Sequence, residues 1–301
     1  MKAQVNGRFV DCKDAKVSIL SHSFSRGSSV FDVVSIWPTA KGGAFFRLKE
    51  HVARMFESAR LVHMDIPMSP EEVTDAVVAT AAENGVSFGM AKFFTYYPVE
   101  EFLILPANPK VELAVFCFDF DREGVTIDDL VGPVSAGIST IMKLDPRTIP
   151  IHAKITANYV NGMLALMEVR KKGCEQAILP DTSGFIAESP MANVFFVENG
   201  KILTPTLNNT LGGVTRDGVI RIARNLGFEV VETDIRPERI ADFDEAFLTA
   251  CVWPVRPIIS IDSKPVGGEC PGPVTRELAR VLGDAYEGRS PQYESWLTYV
   301  E

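Results

Sequence analysis

The chain has 301 residues, 46% hydrophobic and 23% charged, which is ordinary globular composition and enough for one large or two medium domains with a real core. A formal net charge of −9 argues against nucleic acid as the main partner but leaves small-molecule substrates open, because a local cationic pocket can sit on an acidic protein. The five cysteines (Cys12, Cys117, Cys174, Cys251 and Cys270) are odd in number and form no CxxC pair, so they read as reduced, cytoplasmic thiols. The four histidines lack ligand spacing, so no metal is expected. No apolar run approaches the roughly 20 residues of a membrane span, and the opening MKAQVNGRFVDCKDAK lacks the apolar core of a signal peptide.

The chain opens with a hairpin signal, Asn6-Gly7 between two apolar triplets, since both turn positions require positive φ. Arg26 to Arg47 reads as strands and loops. A helix follows from about Glu50 to His63, with Val52, Met55, Phe56, Ala59 and Val62 on one face. Ser69-Pro70-Glu71-Glu72 starts another helix, with a capping serine, proline in the first turn and acids at the positive end of the dipole; it ends before Gly85. Ala91 to Tyr97 and Val111 to Phe118 read as strands. The acidic stretch from Asp119 to Pro133 reads as an irregular linker, which gives a smaller domain over 1–122, a linker over 123–133 and a larger domain over 134–301. In the second part, Ala157 to Lys172, Thr215 to Leu226 and Pro273 to Tyr286 read as helices. Asn199-Gly200 marks a second hairpin, and strands are expected at Glu229 to Ile235, Glu245 to Cys251 and Pro257 to Asp262. Strands outnumber helices and alternate with them irregularly, so the expected class is α+β with two domains.

Three local patterns bear chemistry. Lys154 follows a stiff Pro146-to-Pro150 segment and precedes a helix with a mostly apolar face, with Tyr159 five residues on. An isolated lysine before a helix is ordinarily a solvated surface group; desolvated, or near other positive charge, it becomes a nucleophile toward carbonyl carbon. Glu188 lies between a strand-like run and a small-residue loop, where the ordinary reading is a turn acid. Leu211-Gly212-Gly213-Val214-Thr215 opens a helix with two glycines, then a hydroxyl. That is either a plain capped start or an anion site made of free N–H groups and the dipole.

In this order, the three patterns resemble the fold class IV pyridoxal-phosphate enzymes, and closest among them the branched-chain aminotransferases. The resemblance runs over nearly the whole chain. Ser21 to Asp32 (SHSFSRGSSVFD) is similar to the branched-chain enzymes' SHxxxxGxSVFEG segment. Phe46-Arg47-Leu48 with His51 and Arg54 is similar to their FRxxxHxxRL block, and Gly272-Pro273-Val274-Thr275 to their GPVT. The resemblance implies the two-domain class IV fold with pyridoxal 5'-phosphate as cofactor. It makes Lys154 the catalytic Schiff-base lysine and proton shuttle and pairs Glu188 with the pyridine nitrogen. Tyr159 then bonds the phenolic oxygen, Arg54, Gly213, Val214 and Thr215 hold the phosphate, and Leu211 packs on the ring. Ping-pong half-reactions and a homodimer or higher homo-oligomer are implied as well.

Around the substrate the chain departs from the pattern. The branched-chain enzymes continue SVFEG with GIR, whereas this chain has Val33-Val34-Ser35. Their Gly-Thr-Ala run is replaced by Ala250-Cys251-Val252, in which the thiol is a weaker donor than a hydroxyl. Arg26, Lys92 and, less favourably, Arg256 are the candidate carboxylate receptors, and Phe31, Trp37, Phe118 and Trp253 the candidate apolar walls, although aromatics singly are more often core. Cys251 is expected at the cofactor and Val252 at the substrate. The expected reaction moves an amino group between a hydrophobic, branched-chain L-amino acid and 2-oxoglutarate. The FDVVSIW stretch resembles (R)-amine transaminases, so D-amino-acid or (R)-amine transamination, or an aminodeoxychorismate lyase on the same machinery, is the alternative.

Overall fold

The computed structural model describes residues 1–300. In chain order come β1 (Lys2–Val5), β2 (Arg8–Asp11), α1 (His22–Arg26), β3 (Val30–Thr39), β4 (Gly42–Phe46), α2 (Leu48–Leu61), α3 (Pro70–Asn84), β5 (Gly89–Tyr96), β6 (Glu112–Asp119) and α4 (Phe120–Glu123). Next are α5 (Ile127–Val131), β7 (Val134–Ile138), α6 (Tyr159–Lys171), β8 (Gln176–Pro180), β9 (Ile186–Glu188), β10 (Asn193–Glu198), β11 (Lys201–Thr204) and α7 (Val214–Asn225). The chain finishes with β12 (Val230–Glu232), β13 (Glu245–Ala250), β14 (Trp253–Ile261), β15 (Lys264–Pro265), α8 (Pro273–Tyr286) and β16 (Leu297–Tyr299). Two compact units result. One holds Met1–Val125, the pentapeptide Ala153–Ala157 and the stretch from Ala285 onward; the other holds Thr126–His152 and Asn158–Asp284.

In the first unit the described strands form one sheet in the order β16-β4-β3-β5-β6-β1-β2. The β1–β2 turn places Asn6 and Gly7 at φ of 48° and 77°, the two left-handed residues that a tight hairpin needs. α3 begins with a complete capping box between Ser69 and Glu72. α2 packs on β3 and buries Leu48, Val52, Met55 and Ala59. It starts two residues earlier than its apolar spacing suggests, because Arg47 takes a left-handed conformation (φ 58°) and turns the chain straight into it. The stretch read as an irregular linker is largely helical. α4 and α5 lie inside it, each capped by a side chain, Asp119 and Thr126, and the chain passes between units there.

In the second unit the sheet runs β12-β11-β10-β13-β14-β7-β8-β9, with β15 on β14. β7 is parallel to both β14 and β8. Its core gathers Ile178, Ile186, Val194, Phe196, Leu248 and Ile258 from the strands of this sheet. The expected strand at Glu229 to Ile235 is only Val230–Glu232, a short edge parallel to β11. The Gly-Pro-Val-Thr motif has a local cause. Buried Glu245 on β13 accepts the N–H groups of Val274 (3.0 Å) and Thr275 (2.7 Å), and a Cβ on Gly272 would fall 2.3 Å from its carboxyl carbon.

Candidate active site

In the first unit, Ala153–Ala157 is tied by backbone hydrogen bonds to the chain leading into β3. Phe31 N–H donates to Lys154 O (3.0 Å), Thr156 N–H to Ser29 O (3.0 Å) and Ala157 N–H to Gly27 O (3.2 Å). Val30 and Ile155 pair as an antiparallel bridge. The Lys154 ammonium stands 5.1 Å from the centre of the Phe31 ring. Lys92, on β5, reaches the same ring at 4.5 Å and Phe94 at 4.8 Å. Burial, and then the charge of Lys154, lower the Lys92 pKa. Two cations therefore share one aromatic ring, an arrangement that favours an anion nearby.

On β3, Asp32 is wholly buried and gives α2 its anchor. Arg54 donates through Nε to Oδ2 and through Nη2 to Oδ1, each at 2.8 Å, and His51 Nδ1 lies 2.8 Å from Oδ1. Burial by itself would raise the Asp32 pKa, but Arg54 and His51 outweigh it and hold the carboxyl well below the usual range. Burial pushes the His51 pKa down. This triad was not legible as a unit in the sequence, although its members stand in the quoted motifs.

Two of the substrate candidates, Arg26 and Trp37, stand in other contacts. Arg26 ends α1, exposed, and donates to Phe102 O (2.9 Å) and Ser25 O (3.4 Å). Trp37 is a core residue, packed edge-on against Phe88 (5.7 Å) and Tyr286 (5.2 Å). Phe31 is buried beside Lys92 and Lys154.

In the second unit Tyr159 is the first residue of α6, entered through a 3-10 turn at Thr156–Asn158. Gly162 brings that helix onto the loop after β9, since a Cβ there would sit 2.8 Å from Pro190 Cβ. Glu188 closes β9, buried. Its Oε2 accepts Leu211 N–H (3.0 Å) and Asn193 Nδ2–H (3.5 Å), and its Oε1 pairs with the Lys143 ammonium. Asn193 also donates to Leu211 O (3.0 Å). Lys143 and Asn193 escaped the sequence reading because nothing local marks them; only tertiary register brings them to Glu188. The α7 N-terminus has Gly213 as cap with no side-chain bond, then buried Val214 and Thr215. A Cβ on Gly213 would fall 2.0 Å from Asn193 Oδ1, whereas one on Gly212 would meet nothing within 4 Å. The double glycine thus serves two purposes, close packing at one residue and open space at the other. Cys251 and Val252 form the turn between β13 and β14, half-buried. Arg256 stacks on Trp253 (4.8 Å) and donates to Gly132 O (3.2 Å).

Known proteins are similar to this chain over nearly its whole length. The family model described as "Amino-transferase class IV" matches residues 29–261. The branched-chain-amino-acid aminotransferase of Pseudomonas aeruginosa is 29% identical over 296 residues, 98% of this chain and 96% of that one. A probable branched-chain-amino-acid aminotransferase of Aquifex aeolicus is 30% identical over 303 residues, 98% and 95% respectively. Among solved structures, the branched-chain aminotransferase of the archaeon Thermoproteus uzoniensis, crystallised with norvaline, matches with a TM-score of 0.94 and 30% identity over 100% of this chain and 99% of that one.

Proposed function

The chain belongs to amino-transferase class IV, and from that premise we propose that it is a pyridoxal-phosphate-dependent aminotransferase moving an amino group between a branched-chain L-amino acid and 2-oxoglutarate. The observation that carries the reading is the buried Glu188 carboxylate, fixed by the Leu211 amide, on the same unit as a helix N-terminus with no side-chain cap. The donor set fits the cofactor. A buried acid suits a pyridinium N–H, a glycine with room beside its Cα before a helix suits a phosphate, and a lysine whose backbone is held on both sides suits a carbonyl-bearing ring. The bound cofactor supplies an electron sink for the carbanion left when the substrate's α-proton departs.

The protein's residues do the rest. Lys154 would hold the cofactor and, once displaced by the substrate's amine, its free amine would take the α-proton and return it to the other carbon. Glu188 holds the proton on the ring nitrogen. The amides of Val214 and Thr215, the Thr215 hydroxyl, the backbone at Gly213 and the Arg54 guanidinium receive the phosphate. Tyr159 bonds the phenolic oxygen and Leu211 packs against the ring. Lys92, with Phe31 beneath its ammonium, receives a substrate carboxylate, while Cys251 contacts the cofactor and Val252 the substrate. Branched-chain specificity is supported by whole-length similarity to enzymes of that name. Solved structures of one such enzyme hold pyridoxamine 5'-phosphate, 4-methylvaleric acid and N-(5'-phosphopyridoxyl)-L-glutamate. A cytoplasmic setting is supported by five cysteines that all stand as thiols.

The test is a single half-reaction. The purified protein, loaded with pyridoxal phosphate, is mixed separately with L-leucine, D-alanine and an (R)-amine while its visible absorption is followed. L-Leucine alone should convert the cofactor fully to its amine form. Conversion by the D-amino acid or the (R)-amine but not by L-leucine would replace the substrate assignment.

A further inference from the structure

Within the first unit, one buried hydroxyl joins the two residues assigned to the cofactor there. Ser58 lies on α2, one turn after Arg54, and is fully buried. Its Oγ–H donates to Arg54 O (2.8 Å), and the same oxygen accepts the backbone N–H of Lys154 (2.9 Å). A serine inside a helix often bonds back to the carbonyl four residues before it, and by itself that says nothing of function. The second bond is different. It reaches across 96 residues of sequence to the amide of Lys154 itself. Phe31 N–H holds the carbonyl of Lys154 from the other side, so both peptide groups flanking its Cα are fixed. α2 is tied to β3 in turn by the Arg54–Asp32 pair.

We propose that Ser58 is a positioning residue for Lys154: its hydroxyl fixes the origin of the lysine side chain relative to Arg54, so that proton transfer by Lys154 occurs from one geometry. The proposal rests on the assignment of Lys154 as the cofactor lysine. A buried N–H that loses its acceptor is costly, and a small misplacement of a reacting group lowers rate far more than affinity.

The experiment uses the holoenzyme and Ser58→Ala. Alanine is the better helix former, so α2 is not weakened by intrinsic propensity, and circular dichroism checks that the fold is kept. Amide exchange of the peptide spanning Lys154, read by mass spectrometry, should quicken about tenfold. The half-reaction rate at saturating L-leucine should fall about tenfold or more, with the half-saturating concentration changed by less than about twofold. Faster exchange with an unchanged rate would overturn the proposal, leaving Ser58 a packing residue, and unchanged exchange would deny the bond itself. Lys154→Ala, run in parallel, separates the premise. Wild-type turnover in that variant would remove the lysine assignment whatever Ser58→Ala shows.

Discussion

Glu188 and Lys154 each look ordinary in isolation, one a turn acid and the other a lysine before a helix; their surroundings give them chemical meaning. Glu188 is buried, and a buried carboxylate persists only with partners, here the Leu211 amide, Asn193 and Lys143. Such an acid is well suited to hold a ring N–H proton. In Glu188→Gln the shape stays and the charge goes. We expect the half-reaction rate with L-leucine to fall by about two orders of magnitude, the scale of losing one positioned charged group, while the dissociation constant for pyridoxal phosphate moves only a few-fold. Equal rates in rapid-mixing traces of the two proteins would refute the electronic role. At this scale the motifs around Lys154, Glu188 and Thr215 were legible because order along the chain carries them. Lys143, Asn193 and Ser58 were not, because each acts through a contact that spacing does not encode.

Between elements, the decisive joint in the first unit is Asp32 on β3 against His51 and Arg54 on α2. Removing one partner of a buried charge pair is costly, so Asp32→Ala should destabilise the fold by about 3–5 kcal/mol in denaturant titration. The pair also sets a pH dependence. Because the folded pKa of Asp32 is depressed, its stabilisation is complete above the unfolded carboxylate value of about 3.9 and is lost as pH falls below it toward the folded pKa. In Asp32→Asn the acid limb of the stability profile should be flatter than in the wild type, and parallel limbs would contradict the assignment. Elements with local signals were the ones sequence reading placed well: the Asn6-Gly7 hairpin, the Ser69–Glu72 capping box and the glycine-closed α3. β7 and β8 went unread, since β7 is only five residues long with Ser135 and Gly137 breaking its apolar run, and β8 is buried along most of its length without alternation. The acidic run after Asp119 looked irregular because its two helices are each about one turn long.

For the whole molecule, the two-unit class IV architecture followed from family-like motifs spread over nearly the full chain rather than from periodicity, which gives only α+β. On α6, Val160, Met163, Leu164 and Met167 are all exposed, and so is the run Phe102, Leu103, Ile104 and Leu105. Apolar groups in such number on a chain of net charge −9 suit burial against another protein surface. We expect sedimentation at the mass of a homodimer or a larger homo-oligomer; a single monomeric species at micromolar concentration would contradict this.

If Lys154 carries the cofactor, reduction should fix the cofactor to that lysine. The holoenzyme is reduced with borohydride, digested and mapped by mass spectrometry. A phosphopyridoxyl group is expected on Lys154 and on no other lysine. An unmodified Lys154, with the label on Lys92, Lys143 or elsewhere, would contradict the assignment.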